Sequence, residues 1–244
     1  MKEKINHEER SEVKPSNEHL HKANYPDHWE RYYFASNYIK GDRIIDVACG
    51  PAYGTALLSK LSNTKVVGLD VDENTIQISR KNYGEFCEFF HIKDYSWPFE
   101  SNSIDSIVSL ETYEHLDDPD SFLNEAHRVL KPEGNLILST PINETNGRFH
   151  PENPYHLREY TWDELGENIS LKFKILERHS QISKLGVLNK SIDKSNTRFI
   201  KKLIPGFIRL LIIKLLHKTS LKSGSIEKGK VDNASVQLVV AQKC

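Results

Sequence analysis

The sequence predicts an α/β fold built on a doubly wound, mostly parallel sheet. Short apolar runs alternate along the chain with segments whose apolar residues recur at helical spacing. The predicted strands are residues 43–48, 65–70, 86–91, 104–110 and 135–140, and the predicted helices are residues 55–61, 73–83 and 119–130. This alternation is typical of a parallel sheet with helices on both faces. Ligands of such sheets bind beyond the carboxyl ends of the strands, where the strand order reverses.

Length and composition favour a single folded domain. A chain of 244 residues with 38% hydrophobic content can bury one sizeable core. The polar residues 1–26 contain no apolar signal core and are predicted to form a flexible leader before the domain, residues 27–244. Cys49, Cys87 and Cys244 are odd in number and widely spaced, which argues against a disulfide framework and suits the reduced cytoplasm.

The basic charge of the chain is concentrated in one segment. The formal net charge is -1, yet residues 198–230 hold nine Lys or Arg against the single acid Glu227. We predict a basic apolar helical insertion at about residues 190–230. Its apolar part, residues 198–222, is too interrupted to span a bilayer, and the lack of interleaved aromatics argues against a nucleic-acid partner. Contact with a membrane surface and burial against the sheet or in a homodimer both remain open.

The segment "IIDVACGPAYG", residues 44–54, predicts a nucleotide site after the first strand. Gly50 lets the backbone approach a ligand closely, and Gly54 enters a helix whose N-terminal amides attract negative charge. Asp70 ends the second strand about 20 residues later, where a carboxylate accepts hydrogen bonds from both ribose hydroxyls. These features indicate a ligand that contains adenosine. NAD is disfavoured because the segment lacks G-x-G-x-x-G.

The segment "ETYEH", residues 111–115, is the strongest candidate for chemistry. Glu111, Glu114 and His115 are spaced so that one helical turn would place all three on a common face. Two carboxylates and an imidazole could bind Mg, Mn or Zn. The alternative is a histidine that packs beside the ligand or holds a loop in place.

Several separated blocks together resemble class I S-adenosylmethionine (SAM)-dependent methyltransferases over about residues 28–182. They are "DVACGPAYG", "VVGLDVD" and the stretch from "IKDYSWPF" to "LILSTP". The resemblance implies a Rossmann-like sheet of seven strands, with a final antiparallel strand at residues 235–242 that pairs with "FKILERHSQI". It also implies SAM as the methyl donor.

The same resemblance assigns residues to the SAM site. They are Asp46, Ala48, Gly50, Tyr53, Asp70, Val71, Asp94, Tyr95 and Leu110. The family usually has glycines where this chain has Ala48 and Ala52. A methyl group at positive φ costs about 1 kcal/mol, so we expect weakened SAM affinity. Arg31, on a predicted lid helix, could reach the methionine carboxylate, but an exposed position is the preferred interpretation.

The Glu-x-x-Glu-His pattern is similar to that of small-RNA terminal 2′-O-methyltransferases and ubiquinone-pathway O-methyltransferases. In those families it supplies ligands for a divalent ion, and the RNA enzymes add a histidine from beyond the fifth strand. Here "NPYHLREYTWDEL" offers His156. The resemblance therefore implies four metal ligands, Glu111, Glu114, His115 and His156, and three catalytic residues, Glu114, His115 and His156. Without a metal, His115 or His156 is the expected general base.

The acceptor is predicted from resemblance alone. "WERYYFA", "DVACGPAYG" and "NPYHLREYTWDEL" together resemble bacterial methyltransferases that modify surface polysaccharides and sugar nucleotides. This implies O-methylation of a sugar hydroxyl on a small molecule or glycan. Two alternatives stay open. One is a quinone or phenolic O-methyltransferase, and the other is a non-catalytic SAM-binding regulatory protein, which Ala48 and Ala52 favour.

Overall fold

The computed structural model describes residues 13–143, 153–182, 225–232 and 234–244, which form one mixed sheet with helices on both faces. The helices are α1 (Glu18–Asn24), α2 (Pro26–Ser36), α3 (Tyr53–Ser62), α4 (Glu73–Tyr83), α5 (Pro119–Val129) and α6 (Trp162–Ser170). The strands are β1 (Ile44–Val47), β2 (Val67–Asp70), β3 (Glu88–His91), β4 (Ile104–Leu110), β5 (Leu130–Pro141), β6 (Lys174–Gln181), β7 (Ile226–Lys228) and β8 (Val236–Gln242).

The sheet has the order β3-β2-β1-β4-β5-β8-β6-β7. Strands β1 to β5 pair in parallel, and β8 lies antiparallel between β5 and β6. The prediction of a doubly wound sheet with a final antiparallel hairpin is therefore confirmed. The structure has eight strands where seven are predicted, because the three-residue β7 pairs with the end of β6. A segment as short as "IEK" carries no apolar alternation from which a strand could be predicted.

Two apolar layers cover the opposite faces of the sheet. Side chains alternate along each strand, so Ile45 and Leu136 lie in one layer while Ile44 and Ile137 lie in the other. The first layer packs against α5 and α6, and the second packs against α2, α3 and α4. Burial of both faces explains why the parallel strands are continuous apolar runs rather than alternating ones.

The N-terminal part of the described chain differs from the expected flexible leader. Helix α1 lies within residues 1–26, and the Val13 side chain is buried in the layer that contains α2 and α3. The core of the predicted insertion, residues 198–222, lies outside the described residues. Within the part of the chain that the structure describes, no helix is long and apolar enough to cross a membrane.

The strand order reverses between β1 and β4, which lie side by side. The segment after β1 begins at Ala48, and the segment after β4 begins at Glu111. Both sequence blocks singled out for ligand binding therefore leave the sheet at its topological switch point. The hydroxyl of Ser109 in β4 joins the two strands there by donating to the carbonyl of Val47, at 3.2 Å.

Candidate functional site

The segment after β1 is a tight loop with three residues in the left-handed region. Ala48, Gly50 and Ala52 have φ values of 61°, 51° and 63°. The Gly50 N–H donates to Asp70 Oδ2 at 2.8 Å, while Asp70 Oδ1 accepts the N–H of Asp72 at 2.9 Å. A Cβ added at Gly50 would meet no atom within 4 Å, so open space adjoins this backbone. We call this loop, residues 48–52, the cradle; it is open on the side of Gly50 and is held in place by the hydrogen bond to Asp70.

Gly54 has a packing role at the start of α3. A Cβ at this position would lie 1.9 Å from the Tyr32 ring, so only glycine allows α2 to approach α3 this closely. Tyr53 stands beside it, with its ring centroid 5.2 Å from that of Trp29 and 5.8 Å from that of Tyr32. The predicted lid helix therefore covers the loop with aromatic side chains.

Asp46, in β1, is a buried carboxylate with one unpaired oxygen. Its Oδ2 accepts hydrogen bonds from Thr55 Oγ1 at 2.7 Å and from the Tyr32 hydroxyl at 3.4 Å. Its Oδ1 is buried without a hydrogen-bond partner among the described residues. Burial raises the pKa of Asp46 to about 7, against the opposing effect of the two hydrogen bonds. Such an oxygen fits a ligand that brings an ammonium group, as the methionine part of SAM does.

The remaining residues predicted to bind SAM follow the carboxyl ends of neighbouring strands. Val71 follows β2 and packs partly buried against the core, and Leu110 ends β4. Asp94 is exposed, and its Oδ1 accepts the N–H of Ser96 at 2.7 Å. The Tyr95 hydroxyl donates to Asp117 Oδ1 at 2.6 Å, which ties the segment after β3 to the segment after β4.

The segment after β4 does not form the single helical turn that the spacing of "ETYEH" predicts. Glu111 has a φ of 54°, and only Tyr113–His115 form a 3₁₀ turn. The Glu111 N–H donates to the Ser139 carbonyl at 3.0 Å, and its Oε1 accepts the Ser139 hydroxyl at 2.7 Å. Glu111 therefore continues the pairing of β4 with β5, and the common helical face is a wrong prediction.

Three of the four predicted metal ligands do come together. Glu114, His115 and His156 each offer a ligand atom, and these atoms lie within 4.8 Å of one another. Glu114 is buried, with Oε2 accepting the Thr140 hydroxyl at 2.9 Å and Oε1 3.9 Å from His115 Nε2. Burial, and then the nearby charge of Glu111, raises the pKa of Glu114. Glu111 itself lies outside this group, which we call the Glu-His-His cluster.

Hydrogen bonds outside the Glu-His-His cluster orient both of its imidazoles. His115 Nδ1 lies 3.0 Å from the Tyr155 carbonyl, and His156 Nδ1 lies 2.6 Å from Glu159 Oε1. Metal-binding histidines commonly donate one ring N–H to a carbonyl or carboxylate in this way while the other nitrogen binds the ion. One buried carboxylate with two such imidazoles fits a borderline divalent ion such as Zn or Mn.

The segment that carries His156 is attached to the 3₁₀ turn through its backbone. The N–H groups of Leu157 and Arg158 donate to the carbonyl of Glu114, at 2.8 and 3.2 Å. Thr161 then caps α6 in a reciprocal capping box with Glu164. These local contacts hold a residue from beyond β5 against the end of β4.

Arg31 is a site residue that the sequence interpretation misplaced. It is 3% exposed, its Nη1 donates to Gln181 Oε1 at 2.7 Å, and its Nη2 lies 3.7 Å from Glu111 Oε2. The preferred interpretation of an exposed helix arginine is therefore wrong. The helical spacing of α2 could have indicated this burial. Arg31 lies four residues before the apolar Ala35, so both residues belong to the buried face of the helix.

Comparison with known proteins matches the part of the chain that carries Asp46, Gly50, Asp70, Glu114 and His115. Residues 45–138 match the family model described as "Methyltransferase domain". This match covers less than half of the chain. The fold resembles that of a SAM-dependent methyltransferase of Thermotoga maritima, with a TM-score of 0.58 and 16% identity over 91% of this chain and 98% of that one.

Curated proteins that are similar to part of this chain carry names of the same kind. A protein of Mycolicibacterium smegmatis named as a probable SAM-dependent methyltransferase is 36% identical over 129 residues, which are 52% of this chain and 49% of the relative. The mitochondrial ubiquinone biosynthesis O-methyltransferase of Dictyostelium discoideum is 32% identical over 126 residues, 44% of this chain and 37% of the relative. The chain matches about half or less of the length of these relatives.

Proposed function

We propose that the protein is a SAM-dependent methyltransferase that transfers a methyl group to a hydroxyl of a small-molecule or glycan acceptor. The observation that carries the proposal is the position of the Glu-His-His cluster. Its residues Glu114 and His115 follow β4, next to the strand whose following loop forms the open cradle at Gly50. Groups able to take up a proton and a cradle for the methyl donor therefore flank one switch point.

The cradle supplies the contacts that a SAM molecule needs. Asp46 Oδ1 would accept an N–H of the ammonium group, and Asp70, which also accepts the Gly50 N–H, would hold the ribose hydroxyls. Tyr53 and aromatic side chains of α2 pack together beside the loop. When bound, SAM supplies an electrophilic methyl group on a positively charged sulfur.

The Glu-His-His cluster prepares the acceptor hydroxyl. His115 and His156 each donate through Nδ1, which leaves Nε2 as the nitrogen that takes up a proton. Glu114, His115 and His156 are also the residues that would hold a divalent ion. Such an ion would lower the pKa of a hydroxyl beside it, above all in a vicinal diol or catechol. With or without an ion, the three residues of the Glu-His-His cluster would orient the acceptor oxygen for in-line attack on the methyl group.

A sugar hydroxyl is the acceptor that we propose first. The support is the resemblance of residues 29–35, 46–54 and 153–165 to methyltransferases that act in surface-polysaccharide formation. A quinone or phenol is the second candidate, because one relative is a ubiquinone biosynthesis O-methyltransferase. The positive φ values of Ala48 and Ala52 favour the third, a SAM-binding regulatory protein. The proposed setting is cytoplasmic, with membrane or homodimer contact through residues 198–222.

The test is turnover of methyl-labelled SAM by the purified full chain. The acceptors are sugar nucleotides and oligosaccharides in one set and catechols in another, and the readouts are S-adenosylhomocysteine formation and label in the acceptor. We expect label in the sugars, and we expect Glu114→Gln and His115→Ala to abolish turnover. His127→Ala is the matched control, since this histidine lies on α5 against Phe173 and should leave turnover unchanged.

Each result of the turnover experiment separates one candidate from the others. Label in catechols alone supports the quinone or phenol candidate. SAM binding measured by calorimetry, without turnover of any acceptor, supports the regulatory candidate. If the protein fails to bind SAM at all, the methyltransferase proposal is wrong.

A further inference from the structure

Both ring nitrogens of His156 face side-chain partners. Its Nδ1 lies 2.6 Å from Glu159 Oε1, and its Nε2 lies 3.0 Å from Asn153 Nδ2. In His115, Nδ1 faces the Tyr155 carbonyl at 3.0 Å, and Nε2 lies 3.9 Å from Glu114 Oε1. Asn153 and Glu159 therefore act on His156 alone among the three residues of the Glu-His-His cluster that these contacts describe.

The direction of each hydrogen bond at His156 follows from its neighbours. Asn153 Oδ1 accepts the N–H of Tyr155 at 3.0 Å, so the other end of this amide, the NH₂ group, faces the ring. An amide NH₂ can only donate, so Nε2 accepts. Glu159 as a carboxylate can only accept, so Nδ1 donates. The contacts of His156 therefore place a hydrogen on Nδ1 and leave the lone pair of Nε2 engaged by the Asn153 amide.

Both roles open to His156 require that same lone pair. A general base takes up a proton on it, and a metal ligand shares it with the ion. We propose that Asn153 is a latch on His156, and that its amide must leave Nε2 before Glu114, His115 and His156 can act together. Glu159 is the matching positioning residue, since it fixes the tautomer whose Nε2 becomes available. The inference rests on the proposed role of the Glu-His-His cluster in methyl transfer.

The location of Asn153 suits a latch. Its carbonyl accepts the N–H of His156 at 3.1 Å, so the residue begins the turn that presents the ring. Two local hydrogen bonds of its side chain join Asn153 to the Tyr155 N–H and to the His156 ring. A side-chain rotation breaks the contact with Nε2 and leaves the backbone that joins Leu157 and Arg158 to Glu114 in place.

The test measures affinity for Mn²⁺ and Zn²⁺ by calorimetry on the chelator-treated full chain. The variants Asn153→Ala and Asn153→Asp both remove the donor to Nε2, and the aspartate keeps the acceptor for the Tyr155 N–H. We expect Asn153→Ala to bind the ion about fivefold more tightly than wild type, the factor of one neutral hydrogen bond. Asn153→Asp should bind more tightly still, because it adds a carboxylate. Glu159→Gln should bind about 10-fold to 100-fold more weakly.

Controls separate the latch from a general effect on the loop. Asn37→Ala removes an asparagine that donates to the Tyr33 carbonyl at the end of α2, and it should leave ion affinity unchanged. His115→Ala defines the background of binding elsewhere on the chain. Long-range ¹H–¹⁵N spectra, assigned with His156→Asn, should show the Nδ1–H tautomer for His156 in the wild type and a mixture of tautomers in Glu159→Gln.

The two proposals fail in distinguishable ways. Tighter ion binding in both Asn153 variants supports the latch even if no acceptor is ever methylated. Equal or weaker binding in Asn153→Asp overturns the latch, and so does the absence of binding in wild type and both Asn153 variants. Methyl transfer without any ion affinity would leave the proposed function standing while the latch is rejected.

Discussion

At the scale of single residues, Asp46 combines a favourable position for a ligand with an unfavourable environment for its own charge. Burial of the carboxylate raises the pKa of Asp46 in the folded protein to about 7 from its ordinary value of 3.8. The unfolded chain therefore loses this proton first as pH rises. The stability that the protonated group contributes is complete below about pH 4 and is lost as pH rises through about 7.

We predict that Asp46→Asn stabilises the ligand-free protein at alkaline pH. The advantage over wild type should grow from near zero at pH 4 to about 4 kcal/mol at pH 8, since one pKa unit corresponds to about 1.4 kcal/mol. Urea unfolding across this range measures it, with the exposed Asp42→Asn as control. SAM affinity should fall at least about tenfold, because a charged hydrogen bond is lost. An advantage that does not change with pH would show that Asp46 titrates normally.

Ala48 permits a second prediction, about backbone strain. It is exposed with a φ of 61°, where a Cβ costs about 1–2 kcal/mol. We expect Ala48→Gly to stabilise the protein by about 0.5–1 kcal/mol after the entropy of glycine in the unfolded chain is included. Ala56→Gly in α3 is the matched control and should destabilise by about 0.5–1 kcal/mol. Thermal and urea unfolding measure both, and a loss of stability in Ala48→Gly contradicts the interpretation.

At the scale of elements, Arg31 joins the lid helix α2 to two strands. It donates to Gln181 at the end of β6 and faces Glu111 just after β4. Gln181 Nε2 in turn donates to the Asp27 carbonyl at 3.1 Å, so α2 is joined to β6 twice. The lid helix is therefore held by buried polar contacts in addition to its aromatic face. One of these contacts is the ion pair between Arg31 and Glu111, so the position of the helix depends on both charges.

We predict that Arg31→Met destabilises the protein by about 2–4 kcal/mol, because it removes a buried hydrogen bond to Gln181 and the cation beside the Glu111 carboxylate. Glu111→Gln alone should cost about 1 kcal/mol. The double variant should cost less than the sum, with a coupling of about 1 kcal/mol or more. Urea unfolding of the four proteins measures this cycle, and Arg43→Met, at an exposed arginine, should stay within about 0.5 kcal/mol. Strict additivity would show that Arg31 and Glu111 do not interact.

The elements also show which parts of the structure can be predicted from sequence. The parallel strands and their helices follow from local patterns, and α4 and β4 begin and end at the predicted residues. The direction of the Glu111 side chain depends on Ser139, and the burial of Arg31 depends on Gln181, and both partners are distant in the chain. The approach of His156 to Glu114 was predicted from resemblance, because spacing cannot show which loops meet.

At the scale of the whole molecule, the sheet separates two apolar layers that share its strands. Strand β8 lies between β5 and β6, and its residues Val239 and Ala241 pack in the layer of α5 and α6. The other layer holds α2, α3 and α4 over the cradle. Since each strand contributes side chains to both layers, loss of packing in one layer also loosens the strands that support the other.

We predict that the two layers unfold together. Leu58 in α3 and Leu165 in α6 are fully buried on opposite faces, so Leu58→Ala and Leu165→Ala should each cost about 2–5 kcal/mol. Leu171→Ala, at a side chain that is 74% exposed, is the control and should stay within about 0.5 kcal/mol.

The decisive measurement is whether different probes report the same transition. Circular dichroism follows the whole sheet, and fluorescence follows the three tryptophans, which are Trp29 in one layer, Trp97 in the other and Trp162 in α6. Because the strands are shared, each leucine variant should shift both signals to the same lower midpoint. If Leu165→Ala moved the dichroism transition while part of the fluorescence transition kept the wild-type midpoint, the layers would be separate cooperative units. The Asp46 and Gly50 cradle would then fold independently of the helix that follows His156.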